Sequence, residues 1–278
     1  MKNIILMLKG MLIGVANIIP GVSGGTLMIT LGLYEEIINT ISHFFENFKK
    51  NLKFIIPIAI GMIVSILLLS KVISLCLDKY PFPTTFFFIG LILGGIPLLW
   101  RRASGARRKI SNWIVFGITF GLILLFTFSK SSDYFISLDN LDIYGYAKIF
   151  VIGIISAATM VIPGISGSFV LMLLGYYEPI VNTIKDLTNM ELLGKNLLIL
   201  APFGIGIVVG IILVAKLIEY LLKRYPIKTY YGVLGFVLSS IISIIVPILN
   251  VSPSFWEVII SILLVIIGGV MAYKLGER

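Results

Sequence analysis

The sequence predicts an all-α integral membrane protein: an inverted repeat in which each half is a re-entrant helical hairpin plus three transmembrane helices. Three observations predict it. First, 58% of the 278 residues are hydrophobic and 13% are charged, against about 25% charged in a soluble domain, and mean hydropathy is +1.07. Second, the stretch PGVSGGTLMITLGLYEEIINTI from Pro20 to Ile41 returns 143 residues later as PGISGSFVLMLLGYYEPIVNTI, Pro163 to Ile184, with 12 of 22 positions identical. Third, Lys and Arg segregate to one side of the membrane only when each motif segment is folded back as a hairpin. Such a repeat fixes the architecture before any other feature is read.

The first half covers 1–129. Its hairpin, 4–45, is apolar from Ile4 to Tyr34 and broken at Pro20-Gly21 and Ser23-Gly24-Gly25. From Lys9 to the Pro20 break is about 16 Å of helix at 1.5 Å per residue, half of a hydrocarbon core of about 30 Å. Spans follow at 52–77, at 84–100 after a Pro81-Phe82-Pro83 turn, and at 113–128 after the basic loop 101–109. A polar linker, 130–148, is expected to be extracellular. The second half, 149–278, repeats the order: hairpin 149–184, then spans 197–222, 229–249 and 256–273. Pro57/Pro202, Gly61/Gly206, Lys71/Lys216 and Tyr80/Tyr225 recur at an offset of 145, and Trp113/Trp256 at 143.

Orientation follows from charge, because cytoplasmic loops are enriched in Lys and Arg. With hairpins, 15 of the 22 cationic residues fall on the side of loop 101–109 and five on the other, with Lys71 and Lys216 inside spans. With motif segments that cross, the division is ten against ten. The hairpin arrangement is therefore expected, inverted between halves, in the plasma membrane with both termini cytoplasmic.

Non-helical backbone cannot face lipid, since its unpaired N–H and C=O groups are costly in hydrocarbon. The two breaks must meet protein, water or a polar ligand. New helices are expected to start at Thr26 and Ser168, with their free N–H groups aimed at the breaks, an arrangement that attracts anions. Pro20, Gly21, Ser23, Gly24, Gly25 and Thr26, with Pro163, Gly164, Ser166, Gly167 and Ser168, are the candidate phosphate-binding residues. Close helix packing through small residues is the competing account of the same glycines. Lys71 and Lys216, ionisable groups within spans, and Glu35 and Glu178 are candidates for moving or coupling charge. Snorkelling explains the lysines equally well, and a place at the membrane interface explains the glutamates.

The composition excludes other classes. Net charge is +9, but no basic soluble domain exists to bind nucleic acid. Cys76 and His43 are the only residues of their types, so no intrachain disulfide or cluster with metal-ligand spacing is expected. Neither a metal nor any other cofactor is predicted. The N-terminus lacks a small-residue cleavage site and leads straight into the first motif.

The paired motifs PGVSGG…GLYEEIINTI and PGISGS…GYYEPIVNTI resemble the repeats of the polyprenyl-phosphate transporter family, and the likeness runs over essentially the whole chain. That resemblance implies a non-enzymatic carrier returning undecaprenyl phosphate from the outer to the inner leaflet for cell-wall synthesis, coupled to H+ or Na+. The phosphate would be held at the two breaks while the prenyl tail stays in lipid through a lateral opening and the halves rock around it. A carrier of a small soluble anion is one alternative. The other, an integral lipid-pyrophosphate phosphatase, needs clustered cationic and acid–base groups at the phosphate, and the SGG and SGS turns hold none.

Overall fold

Apolar runs in a membrane chain become helices because only a helix satisfies its own backbone within one segment. The computed structural model describes residues 2–18, 23–104, 109–129, 136, 138, 141–164 and 167–277. In the first half these form α1 (Lys2–Ile18), α2 (Gly24–Thr30), α3 (Tyr34–Ser42), α4 (Phe48–Lys79), α5 (Pro81–Ala103) and α6 (Ile110–Phe128). The second half repeats them as α7 (Ile143–Val161), α8 (Gly167–Leu173), α9 (Tyr177–Lys185), α10 (Leu193–Arg224), α11 (Pro226–Ile245) and α12 (Phe255–Gly276). The all-helical membrane class stands. Among the described residues, seven helices are long and apolar enough to cross a membrane: α4, α5, α6, α7, α10, α11 and α12.

The two halves share local structure as well as sequence. After α2 the chain turns through Gly32 at φ 70°, and after α8 through Gly175 at φ 75°, a left-handed conformation that glycine adopts without a Cβ penalty. Leu33 N–H then donates to Met28 O at 2.8 Å, and Tyr176 N–H to Leu171 O at 2.9 Å, closing the same helix-ending motif twice. The α4–α5 and α10–α11 corners also match. Tyr80 and Tyr225 have φ −134° with ψ 58° and 53°, and Thr84 and Thr229 each donate to two carbonyls of the preceding turn.

Three expectations need adjustment. Pro81 is not in a turn but opens α5, as Pro226 opens α11, where proline's missing N–H has no helical partner to lose. The short helices begin at Gly24 and Gly167 rather than at Thr26 and Ser168. The arms into the motifs are also longer than half a membrane: α1 and α7, with 17 and 19 residues, span about 26 and 28 Å. Lys9 does not mark the membrane surface. It is buried and donates to Leu31 O at 2.8 Å, a cation placed at the C-terminal end of α2.

Packing fixes the helix directions. Gly10 presses on the Ile58 carbonyl and Gly14 on Met62 and Ser65, so α1 and α4 run parallel. Gly153 meets the Phe203 carbonyl and Gly210 meets Ile154 and Ala157, so α7 and α10 also run parallel. Close approaches of this kind need the missing side chain. Between each parallel pair the chain must come back, and α2–α3 and α8–α9 are the segments available to return it.

The other contacts cross between halves. Gly90 abuts Val265 and Gly94 abuts Gly269, making α5 parallel to α12, while Gly232 and Gly235 pack on Val115 and Thr119, making α6 parallel to α11. α5 and α11, about half buried against 11–22% for α4, α6, α10 and α12, form the centre. The largely apolar outer faces, including Leu67, Leu68 and Leu125, suit contact with lipid.

Candidate functional site

Ser23 is the N-cap of α2, with extended φ −96° and ψ 129°, and its side chain makes no capping hydrogen bond. It is buried, and Thr26 is completely buried with a hydroxyl that finds no partner among the described residues. The Ser23 carbonyl accepts from Thr26 N–H at 3.0 Å and Leu27 N–H at 3.3 Å. Helical geometry leaves the N–H groups of Gly24 and Gly25 without an intrahelical acceptor. The N–H groups of this first turn therefore look outside α2 for their acceptors. α2 and α8 have only seven residues each, so discrete N–H and hydroxyl donors matter here more than a long helix dipole.

The second motif lies against the first. A Cβ on Gly25 would sit 3.3 Å from Pro163 Cα and 3.4 Å from the Met160 carbonyl. Tyr34, at the start of α3, donates its hydroxyl to Val161 O at 3.1 Å, two residues before Pro163. Gly164 has φ 82° and faces the Phe236 carbonyl on α11, which pins the second turn to a central helix. The structure thus brings Gly25, which Ser23, Gly24 and Thr26 flank in the chain, against Pro163, which precedes Gly164, whereas Gly167 packs on Ser156, Thr159 and Met160 of α7. Pro20, Gly21 and Ser166 lie outside the described residues, as does the side chain of Ser168.

The four ionisable candidates separate. Lys71 and Lys216 are exposed on α4 and α10 and make no ion pair among the described residues. Glu178 is likewise exposed and unpaired there. Glu35 behaves differently: its carboxylate pairs with the Arg102 guanidinium from the end of α5. Arg102 also donates to Tyr230 Oη at 3.0 Å, and its guanidinium carbon lies 5.9 Å from the centre of that ring. These groups border a small, half-open cleft of about 20 Å³ between α2, α3, α5, α10 and α11, with Tyr34 in its wall.

Sequence reasoning passed over Asn17, Arg102 and Tyr230. Asn17 is the polar residue near the tip of α1, and Gly24 lies directly against its amide. Its isolation in an apolar arm was the available signal. In the sequence Arg102 is one cation of the basic loop 101–109 among five, and nothing there singles out Tyr230. His43 has Nδ1 3.5 Å from Glu219, which Lys223 also holds at 2.6 Å. This polar cluster ties the end of α3 to α10. Among the described residues no group of acidic, His or Cys side chains could hold a metal ion.

The fold defines a class: a multi-pass, all-helical membrane protein whose two halves repeat one order of helices. Residues 13–254 match the family described as undecaprenyl phosphate translocase-like, and the chain belongs to that family. It is 32% identical over 282 residues to the polyprenyl-phosphate transporter of Staphylococcus aureus (strain NCTC 8325 / PS 47), covering 97% of this chain and 95% of the relative. It is 29% identical over 250 residues to the polyprenyl-phosphate transporter of Vibrio cholerae serotype O1 (strain ATCC 39315 / El Tor Inaba N16961), covering 84% of this chain and 75% of that one. No solved structure matches.

Proposed function

We propose that this protein carries polyprenyl phosphate across the plasma membrane, from the outer to the inner leaflet, without chemical conversion of the lipid. Membership of the family and the names of both relatives support the substrate class. The observation that supports the mechanism is the contact of Gly25 with Pro163, one residue from each repeated motif. Ser23, Thr26 and the N–H groups of Gly24 and Gly25 then supply donors to a phosphate, and the glycines allow close approach.

The helix directions support an inverted repeat of re-entrant hairpins. α5 and α6 are joined by a short loop and run in opposite senses, and each is parallel to a helix of the other half. α11 therefore runs against α5, its counterpart. Arg102, late in α5, meets Tyr230, early in α11, in keeping with this. The starts of α1, α4, α6 and α11 then share a face with loop 101–109, and the positive-inside rule makes that face cytoplasmic. Arms of about 26 and 28 Å whose tips touch must lean or begin outside the hydrocarbon. The exposed Lys71 and Lys216 reach the interface by snorkelling. The coupling ion is H+ or Na+.

The test is leaflet-resolved movement of undecaprenyl phosphate in proteoliposomes, with pH or Na+ gradients imposed separately. Protein-dependent movement, faster under one gradient, is expected. Folded protein that moves inorganic phosphate but no lipid phosphate under either gradient would replace this reading with a small-anion carrier.

A further inference from the structure

We propose that the pocket bounded by Arg102, Tyr230 and Glu35 is a second phosphomonoester site, at the basic end of the molecule, in which Glu35 occupies the place a phosphate takes. The inference rests on the reading of the protein as a lipid-phosphate carrier and adds a docking position that the repeated turns do not provide.

Three observations converge. Arg102 is the cation on the pocket wall, and its planar guanidinium matches the oxygens of a phosphate as well as those of a carboxylate. It is already engaged by an anion, since the Glu35 carboxylate sits on it. Tyr230 Oη accepts a hydrogen bond from Arg102, which leaves the phenolic O–H free to donate to a ligand oxygen. Glu35 and Arg102 side chains are 44% and 41% exposed. An anion can therefore reach the guanidinium without a buried ion pair having to be broken.

The site is built into one half only. Glu35 has the counterpart Glu178, but the offset of 145 puts Pro247 opposite Arg102 and Thr85 opposite Tyr230. The fork and the phenol are additions to the repeated scaffold, not consequences of it. The pocket also adjoins the central turns: Tyr34 lines it and bonds to Val161, next to the second turn. A phosphate leaving the turns toward the basic face would meet Arg102 there. A phosphate monoester, with a charge of about −1.5 to −2 near neutral pH, outcompetes a singly charged carboxylate for the same fork. Glu35 keeps the guanidinium positioned when the pocket is empty and lowers its net affinity, so that the headgroup can leave.

The alternative is an ion pair that only joins α3 to α5, and the two accounts predict opposite signs. Purified full-length protein in detergent would be titrated with farnesyl phosphate, farnesol and inorganic phosphate. Arg102→Gln is expected to weaken farnesyl phosphate binding about tenfold, the loss of one charge-assisted contact, and to leave farnesol binding unchanged. Glu35→Gln removes the competing carboxylate and is expected to tighten farnesyl phosphate about threefold. Arg102→Lys, which keeps the charge and loses the fork, should fall between wild type and Arg102→Gln. Inorganic phosphate as potent as farnesyl phosphate, and equally sensitive to Arg102→Gln, would support the site with free phosphate as its occupant. If Arg102→Gln and Glu35→Gln weaken binding alike, or if neither changes it while wild type binds, the site is overturned and the carrier reading survives. Wild-type protein that binds no phosphate in any form would overturn both.

Discussion

The two motif segments share a backbone and differ in chemistry. Gly32 and Gly175 turn the chain through the same left-handed geometry, and Gly10 and Gly153 cross the following long helix at equivalent carbonyls. Around that common frame the first copy has Lys9, Asn17 and the Arg102 partner of Glu35, where the second has Ile152, Met160 and Pro247. Backbone packing is thus held in register by both copies, while polarity has gathered around one. The difference separates what builds the scaffold from what handles charge. A symmetric site needs only the turns, whereas the basic end carries additional groups of its own.

If the scaffold is the shared part, breaking it should cost the same in either half. Gly61→Val and Gly206→Val would drive a side chain into the Met7 and Phe150 carbonyls. Overpacking against backbone costs about 1–3 kcal/mol and occasionally more, and thermal melts in detergent should fall strongly and alike for both. Gly117→Val, where nothing lies within 4 Å, is the control that should barely move. A large loss from only one of the crossing glycines would break the equivalence.

The polar additions should instead act in one half. Lys9→Met leaves the Leu31 carbonyl without its charged donor and is expected to cost about 1.5–3 kcal/mol. Ile152→Met at the corresponding position should cost under about 1.5 kcal/mol, as volume-conserving swaps do. A smaller contrast is expected at the paired tyrosines. Tyr34→Phe loses the bond to Val161 O, about 1 kcal/mol, whereas Tyr177 is only partly buried and Tyr177→Phe should have less effect. Equal melting shifts for the two tyrosine variants would remove that asymmetry.

The shared part was the legible part. Identities at fixed offsets announced the repeat, and apolar run lengths located the long helices to within a few residues. Arm length is illegible because a surface reading of Lys9 makes α1 about half a membrane long, whereas α1 has 17 residues. A lysine in an apolar segment can equally be buried against a helix C-terminus, and hydropathy does not distinguish the two. The Arg102–Glu35–Tyr230 group was illegible for another reason. Its members lie 67 and 128 residues apart, belong to three helices, and have no full counterpart in the second copy. Only the tertiary packing of α3, α5 and α11 brings them together. The contact of Gly25 with Pro163 was reachable in outline, since inversion implies that the turns converge, but not as a specific pair of atoms.

That contact is the central claim, and cross-linking tests it most directly. Cys76 is the only cysteine, so Gly25→Cys with Pro163→Cys can be placed in a Cys76→Ser background. A Cβ added at Gly25 would lie 3.3 Å from Pro163 Cα, so the two positions are direct neighbours, as a disulfide requires. Oxidation is expected to form the bond within one chain and to stop undecaprenyl phosphate movement in proteoliposomes, with reduction restoring it. Failure to cross-link in folded protein, or full transport with the bond in place, would contradict the account of two meeting turns as the phosphate site.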